Sequence, residues 1–313
     1  MLRFIASRLL GMVSVMVIVV TVVFVIGRIA PGDPAAAMLG PDATKEAYEE
    51  LRQVMGLNGS ITEQYVVYVK QILRGDLGQS IFLHRPVIVA IADRAEPTIA
   101  LTIIALIFGC SIALPIGVLS AYWKGSSFDK FSTLFSVAVA SVPNFWLALL
   151  LIQLVAVSFG LLPVSGYGPP SAGFWQRMTY LILPGISLGI GISAIIMRFT
   201  RASMLDILDE EYIRTARSKG MSERNVVLHH ALRNALVPIL TIVGLTFSAL
   251  ISGVVVTETV FGLPGLGSLV VNAVTRRDYP VIEGTLLVVA CVSVLVTITI
   301  DLLYLLVDPR LTY

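Results

Sequence analysis

What this chain has least of is charge. Asp, Glu, Lys and Arg make up 13% of its 313 residues, about half the roughly 25% usual in a soluble globular protein. That scarcity excludes an ordinary soluble domain and makes lipid the solvent, in keeping with a mean hydropathy of +0.88. Cysteine is almost missing. Cys110 and Cys291 both fall in apolar runs, where they act as small apolar residues and suggest neither a disulfide nor a metal site. No Gly-x-x-x-x-Gly-Lys-Ser/Thr occurs, so the chain has no P-loop to cradle ATP phosphates, and energy must come from another subunit or an ion gradient. No internal repeat or low-complexity tract is present, and a net charge of +2 gives no sign of a nucleic-acid partner.

What is there is a series of charge-free runs over residues 9–27, 97–123, 178–197, 234–257 and 284–300, the last continuing past Asp301 to Val307. A longer run, 131–176, holds one more span over 133–159, followed by a Gly/Pro-rich loop. Each reaches the roughly 20 residues that a 30 Å hydrocarbon layer requires. The expectation is an all-α integral membrane protein with six transmembrane helices. The first run is too long for the core of a cleaved signal and is read as a retained span. Arg3 and Arg8 at the N-terminus, and seven bases against five acids over 198–233, mark the cytoplasmic side. Residues 31–96, with nine acids and six bases, read as external. Both termini are then cytoplasmic. His84 falls outside, and His229 and His230 inside, so they cannot share a metal; no metal ligands are assigned.

The expected domains are 1–30 (N-terminus and first span), 31–96 (external insert) and 97–313 (a five-helix core carrying a cytoplasmic loop, 199–234). The insert reads as a turn at Pro31-Gly32-Asp33-Pro34, a helix near 45–55, and an amphipathic helix over 61–73 with Tyr65, Tyr68, Val69 and Ile72 on one stripe forming the insert's core. After the turn Gly75-Asp76-Leu77-Gly78, Arg85-Pro86-Val87 opens a helix leading into the second span. Pro143 should kink the third span, leaving Asn144 to satisfy freed backbone or face a pathway. Phe261-Gly262-Leu263-Pro264-Gly265-Leu266-Gly267 is apolar yet cannot be one continuous helix. Such backbone is buried in protein or lines a cavity, so Asn144, Phe261, Pro264 and Gly265 are candidate pathway or external-gate residues. Asp301 and Glu283 are the ionisable residues nearest the span interiors. Asp301 is expected to be paired within the chain or across an interface, and the otherwise empty spans argue against a gradient-driven carrier.

Between the fourth and fifth runs lies a compact charged cassette, Asp209 to Gly220. Asp209, Glu210 and Glu211 open it, Arg214, Arg217 and Lys219 close it, and Gly220 stops it, which suits a helix macrodipole and a left-handed cap. Glu210 and Arg214 stand four apart in the favourable orientation. A rod of about ten residues, roughly 15 Å long, is too short and polar to enter a bilayer. It must lie on the membrane face, where it can dock with a partner. Ser222 and Glu223 then start a second short helix to about Asn234.

These motifs, in order, resemble a known family over nearly the whole chain. They are Pro31-Gly32-Asp33-Pro34, Gly75-Asp76-Leu77-Gly78, Arg85-Pro86-Val87, Pro143-Asn144-Phe145-Trp146, Arg201-Ala202-Ser203-Met204, the stretch from Glu211 through Tyr212, Ile213, Arg214, Thr215, Ala216, Arg217, Ser218 and Lys219 to Gly220, Leu232-Arg233-Asn234-Ala235, the segment 261–267, and Arg277-Asp278-Tyr279-Pro280-Val281-Ile282. The chain is similar to the first permease type of the bacterial dipeptide/oligopeptide/nickel ABC importers. The resemblance implies a type I ABC importer permease fold in the bacterial inner membrane, and a multi-pass, non-catalytic subunit. The implied partners are a second homologous permease, two cytoplasmic ATPase subunits that bind the ATP and Mg, an extracytoplasmic solute-binding protein and membrane lipid. It also implies alternating access, with Asp209–Gly220 as the coupling loop held by an ATPase. Of the wider Glu-Ala-Ala…Gly loop pattern, only Ala216 and Gly220 match here. Peptide is the expected substrate, with glutathione or nickel as alternatives. A self-sufficient carrier or a recruiting scaffold would be the rivals from other classes.

Overall fold

In the computed structural model, residues 2–29, 35, 39, 44–54, 58–169, 171 and 173–307 are described. The turn expected at residues 31–34 and the Asp301 side chain lie outside what is described. In chain order the helices are α1 (Leu2–Ile29), α2 (Lys45–Val54), α3 (Ile61–Leu73), α4 (Val87–Tyr122), α5 (Ser127–Ser141), α6 (Asn144–Leu151), α7 (Phe174–Leu208), α8 (Glu211–Ser218), α9 (Glu223–Asn225), α10 (Leu232–Gly253), α11 (Val255–Val260), α12 (Leu266–Arg276) and α13 (Tyr279–Val307). Wider π-helical turns extend α6 over Ile152–Ser158 and join α9 to α10 over Val226–Ala231. Among the described residues the one extended pairing is a bridge between Gln79 and Pro86. The chain divides into two compact units, Met1–Glu96 with Pro264–Val294, and Pro97–Leu263 with Leu295–Tyr313.

In the first unit, α3 starts with a reciprocal cap. Ser60 Oγ accepts from the Glu63 backbone, and the Glu63 carboxylate accepts from the Ser60 backbone. The Tyr65 and Tyr68 stripe packs onto α1 instead of closing a separate core for the insert: both rings lie within 5.4 Å of the Phe24 ring, and Tyr65 shares a 2.7 Å hydrogen bond with Thr21. The Tyr68 hydroxyl is buried without a partner among the described residues, and that burial raises its pKa above the ordinary phenol value. The segments Gly75–Gly78 and Arg85–Val87, separate motifs in the sequence, fold together: Val87 N–H donates to the Gly78 carbonyl and Ser80 N–H to the Arg85 carbonyl, each at 3.0 Å. Beneath them, Val87, Ile91, Leu266, Leu269, Ala273 and Val281 form a core. Gly284 belongs to it because a side chain there would strike Val87 at 2.6 Å.

The second unit is built on a glycine seam between α4 and α7. A Cβ on Gly185 would meet Ile104, one on Gly109 would meet Ile192 and the Gly189 carbonyl, and one on Gly117 would meet Thr200 and the Met197 carbonyl, all at 3.0 Å or less. Small residues let membrane helices approach this closely, and dispersion then replaces the missing hydrophobic drive. Contacting residue numbers rise together along both helices, so α4 and α7 run parallel. A chain leaving the end of one parallel span must cross back before starting the other. The crossing between them is the pair α5 and α6, bent by 96° at its break. Among the described residues, five helices are each long and apolar enough to span, and this bent pair, taken as one span, gives the sixth.

The helix expected to open at Val87 runs without a break into the second span, with Pro97 inside it. Two boundaries differ from expectation. The third span starts at Ser127 and is broken, not kinked: Val142, preceding a proline, is extended at ψ 126°, and Pro143 at ψ 135°. The fifth span runs unbroken from Glu223 to Ile251, so the expected second loop helix is fused to it.

Candidate functional site

Leu208 ends α7, and Asp209 caps that helix instead of opening the next one. Glu210, with an extended backbone, is the N-cap of α8, so the docking helix has eight residues and a length of about 12 Å, not the ten expected. Arg214 pairs with Glu211 at 2.8 Å; the expected Glu210 pairing is not made. Arg217 reaches past the turn to Glu223 at 2.9 Å, and Lys124 lies 3.6 Å from Asp209. These exposed pairs contribute little each, about 0–1 kcal/mol. The turn itself is well defined. Gly220 N–H donates to the Arg217 carbonyl at 2.9 Å and Met221 N–H to the Ala216 carbonyl at 3.3 Å, with Gly220 at φ +78°.

Burial divides α8 into two faces. Ile213 and Ala216 are 0% and 7% exposed, packed with Val118, Met204, Val226 and Ala235 in one apolar cluster. Ala216 therefore faces its own chain and not the surface that α8 offers to a partner. The outer face carries Glu211, Tyr212, Arg214, Thr215, Arg217, Ser218 and Lys219, all exposed. Asn234, from the motif at the base of α10, donates 2.7 Å to the Tyr212 hydroxyl and 2.9 Å to the His230 carbonyl. One side chain thus ties the outer face of α8 to the fifth span.

Two buried carboxylates escaped the sequence reading. Asp129 accepts two hydrogen bonds from Arg201, at 2.6 and 2.8 Å, along with Ser120 Oγ at 2.6 Å and Gly125 N–H at 2.9 Å. This fork joins α5 to α7 two turns before the end of α7. The available signal was Arg201 itself, a cation well inside a long apolar helix and in need of a counter-ion. Glu258, fully buried, receives Thr98 Oγ1 at 2.5 Å. It sits one residue beyond a charge-free run, so counting runs leaves it at an edge.

Of the candidate gate residues, Phe261 is buried, and its carbonyl accepts from Gly166 N–H at 2.8 Å. The non-helical part is confined to residues 261–265, since α12 begins at Leu266 and takes in Gly267. Pro264 leads into Gly265, the N-cap of α12. Asn144 starts α6 with its carboxamide against Gly191. Phe261 and Asn144 belong to the second unit, and Pro264 and Gly265 to the first. The Glu283 carboxylate lies against Gly27, where a methyl group would collide with it. His229 and His230 fall in the π-helical turn before α10, and among the described residues no group of three His, Cys, Asp or Glu could hold a metal.

Among the described residues the regular elements are all helices, with up to six apolar crossings and a short helix with one buried and one charged face on a polar loop, the build of a multi-pass membrane protein. Residues 113–313 match the family described as binding-protein-dependent transport system inner membrane component, and residues 1–102 match the corresponding N-terminal family. The chain belongs to this family and has the type I ABC importer permease fold. It is 41% identical over 310 residues, 99% of both chains, to a probable peptide ABC transporter permease protein, y4tP, of Sinorhizobium fredii. It is 40% identical over 313 residues, 100% of both chains, to the glutathione transport system permease protein GsiC of Escherichia coli K12. Among solved structures, the inward-facing methionine ABC transporter MetNI superposes with a TM-score of 0.58 at 20% identity, over 70% of this chain and 96% of that one, a likeness of fold.

Proposed function

We propose that this chain is one of two permease subunits of an ATP-driven importer that moves short peptides inward. The observation that carries the reading is α8: a helix with a charged outer face, fixed to the bundle by Ile213, Ala216 and the Asn234–Tyr212 bond. Such a helix can pass the movement of a gripping partner into the spans. The partners are a homologous permease, two cytoplasmic ATPases that bind and hydrolyse ATP with Mg, and an external solute-binding protein. This chain itself makes and breaks no covalent bond. Both termini and α8 face the cytoplasm, following the basic residues that flank the spans. ATP binding draws the ATPases together and carries α8 with them. The spans open outward to accept substrate, and hydrolysis returns them inward. Within the second unit, Phe261 and Asn144 line or close the route.

Glutathione is the second reading, supported by the 40% identity to a glutathione permease over the full length of both chains. The deciding experiment is copurification from membranes followed by ATPase assays with dipeptides, oligopeptides and glutathione. Two ATPases, a second permease and a binding protein that stimulates hydrolysis with one of these solutes are expected. A chain that purifies alone and carries solute down an ion gradient would overturn the reading.

A further inference from the structure

A cavity of about 280 Å³ opens in the first unit, where the end of α12 meets the loop after Gly78. It lies just below the roughly 300–1,000 Å³ of pockets that take a drug-sized ligand, with room for a protruding side chain and the residues beside it. Leu269, Ala273 and Val281 give it an apolar floor, and Arg94 stands on its wall. Arg276 stands over the Phe82 ring with its guanidinium carbon 3.5 Å from the ring centre, which places a cation–π contact at the mouth. Phe82 and Leu83 are 51% and 39% exposed, although both are large and apolar. The loop that presents them is pinned from behind. Buried Asp278 accepts from Ser80 Oγ at 2.5 Å, Ile81 N–H at 3.2 Å and Phe82 N–H at 3.1 Å. Among the described residues, the two non-glycine positions with positive φ are His84 at +51° and Arg277 at +57°. Both flank this cavity, and strain of this kind gathers where a surface is shaped for a task.

From this arrangement we infer that the cavity is a socket for an acidic side chain of an external protein partner, the solute-binding protein, which rests on the importer reading above. Arg276 and Arg94 line the cavity, and Arg277 follows Arg276 in the chain. The carboxylate among the lining residues, Asp278, is already engaged by three donors. A carboxylate entering over Phe82 would meet Arg276 in the bidentate geometry that guanidinium favours, while its methylenes rest on Leu269 and Val281. The concave shape and rigid rim fit a protruding side chain better than a lipid surface. Docking through one such anchor also leaves the partner free to depart after delivery.

The test uses the complete transporter in nanodiscs, with the binding protein recovered by copurification as the probe. In Arg276→Glu, the binding-protein concentration that half-maximally stimulates ATP hydrolysis should rise about tenfold or more, the scale of one lost close charge pair. Arg276→Lys should recover part of that loss. Separately, Leu83→Cys should react with a water-soluble maleimide in the free transporter and be protected when the binding protein is added. A half-saturating concentration within twofold of wild type in Arg276→Glu, or an unprotected Leu83→Cys, would overturn the socket. So would an Arg276→Glu defect that follows the anionic-lipid content of the disc and not the binding protein, since that marks a headgroup contact. If no binding protein stimulates even the wild type, the importer reading fails first, and the socket with it.

Discussion

Helices α8 and α12 end with the same backbone hydrogen bonds around a left-handed residue, glycine in one and arginine in the other. At Gly220 the bonds run from Gly220 to Arg217 and from Met221 to Ala216; at Arg277 they run from Arg277 to Val274 and from Asp278 to Ala273. Glycine adopts φ +78° at no steric cost. Arginine at φ +57° carries roughly 1 kcal/mol of strain. The first turn is local: open space surrounds Gly220, and the chain itself dictates the stop. The second is imposed by tertiary structure. Asp278 must face Ser80, Ile81 and Phe82, and Arg277 takes up whatever conformation permits it.

The contrast can be broken hardest at Gly220. Gly220→Pro removes the N–H that closes the turn and demands φ near −65°, so it should abolish uptake while the protein still reaches the membrane. Normal uptake by this variant would sink the assignment of α8 as the coupling helix. At the other turn, Asp278→Ala leaves one hydroxyl and two backbone N–H groups without their acceptor and should cost roughly 3 kcal/mol. A fall in the thermal unfolding midpoint in detergent, with faster proteolysis near Leu83, is the expected result. Gly220→Ala meets no neighbour, so its cost should be the left-handed strain alone, about 1 kcal/mol, with uptake reduced but measurable. The smallest change is Arg277→Gly. Relief of strain is offset by the extra freedom of glycine in the unfolded chain, leaving a gain below about 1 kcal/mol. A large destabilisation there would mean that the Arg277 side chain, not its backbone, holds the turn.

The same division explains what could be read in advance. The six crossings, the cassette, the Gly220 stop and the helix beginning at Val87 depend on hydropathy, caps and turn residues within a few positions of one another. Pairings between distant positions left no such trace. Asp129 and Arg201 are 72 apart, and Glu258 finds Thr98 across 160. Each looked like an isolated charge at the border of an apolar run. Pro143 announced a defect in the third span, but the size of the break depends on how α6 packs onto α7 and α11. Ala216 was legible as part of the cassette, but only the fold reveals that the chain keeps this face for itself. Motifs such as Arg277-Asp278 and Gly75–Gly78 were recognisable as strings, but their meeting through Asp278 was not.

The inward face of α8 sets the mechanical character of the subunit. Ile213 and Ala216 share one close-packed cluster with residues of α4, α7 and α10, and interiors packed at crystal-like density compress very little. If α8 is the helix a partner grips, a displacement applied to its outer surface passes directly into the helices that share this cluster, without a slack stage in between.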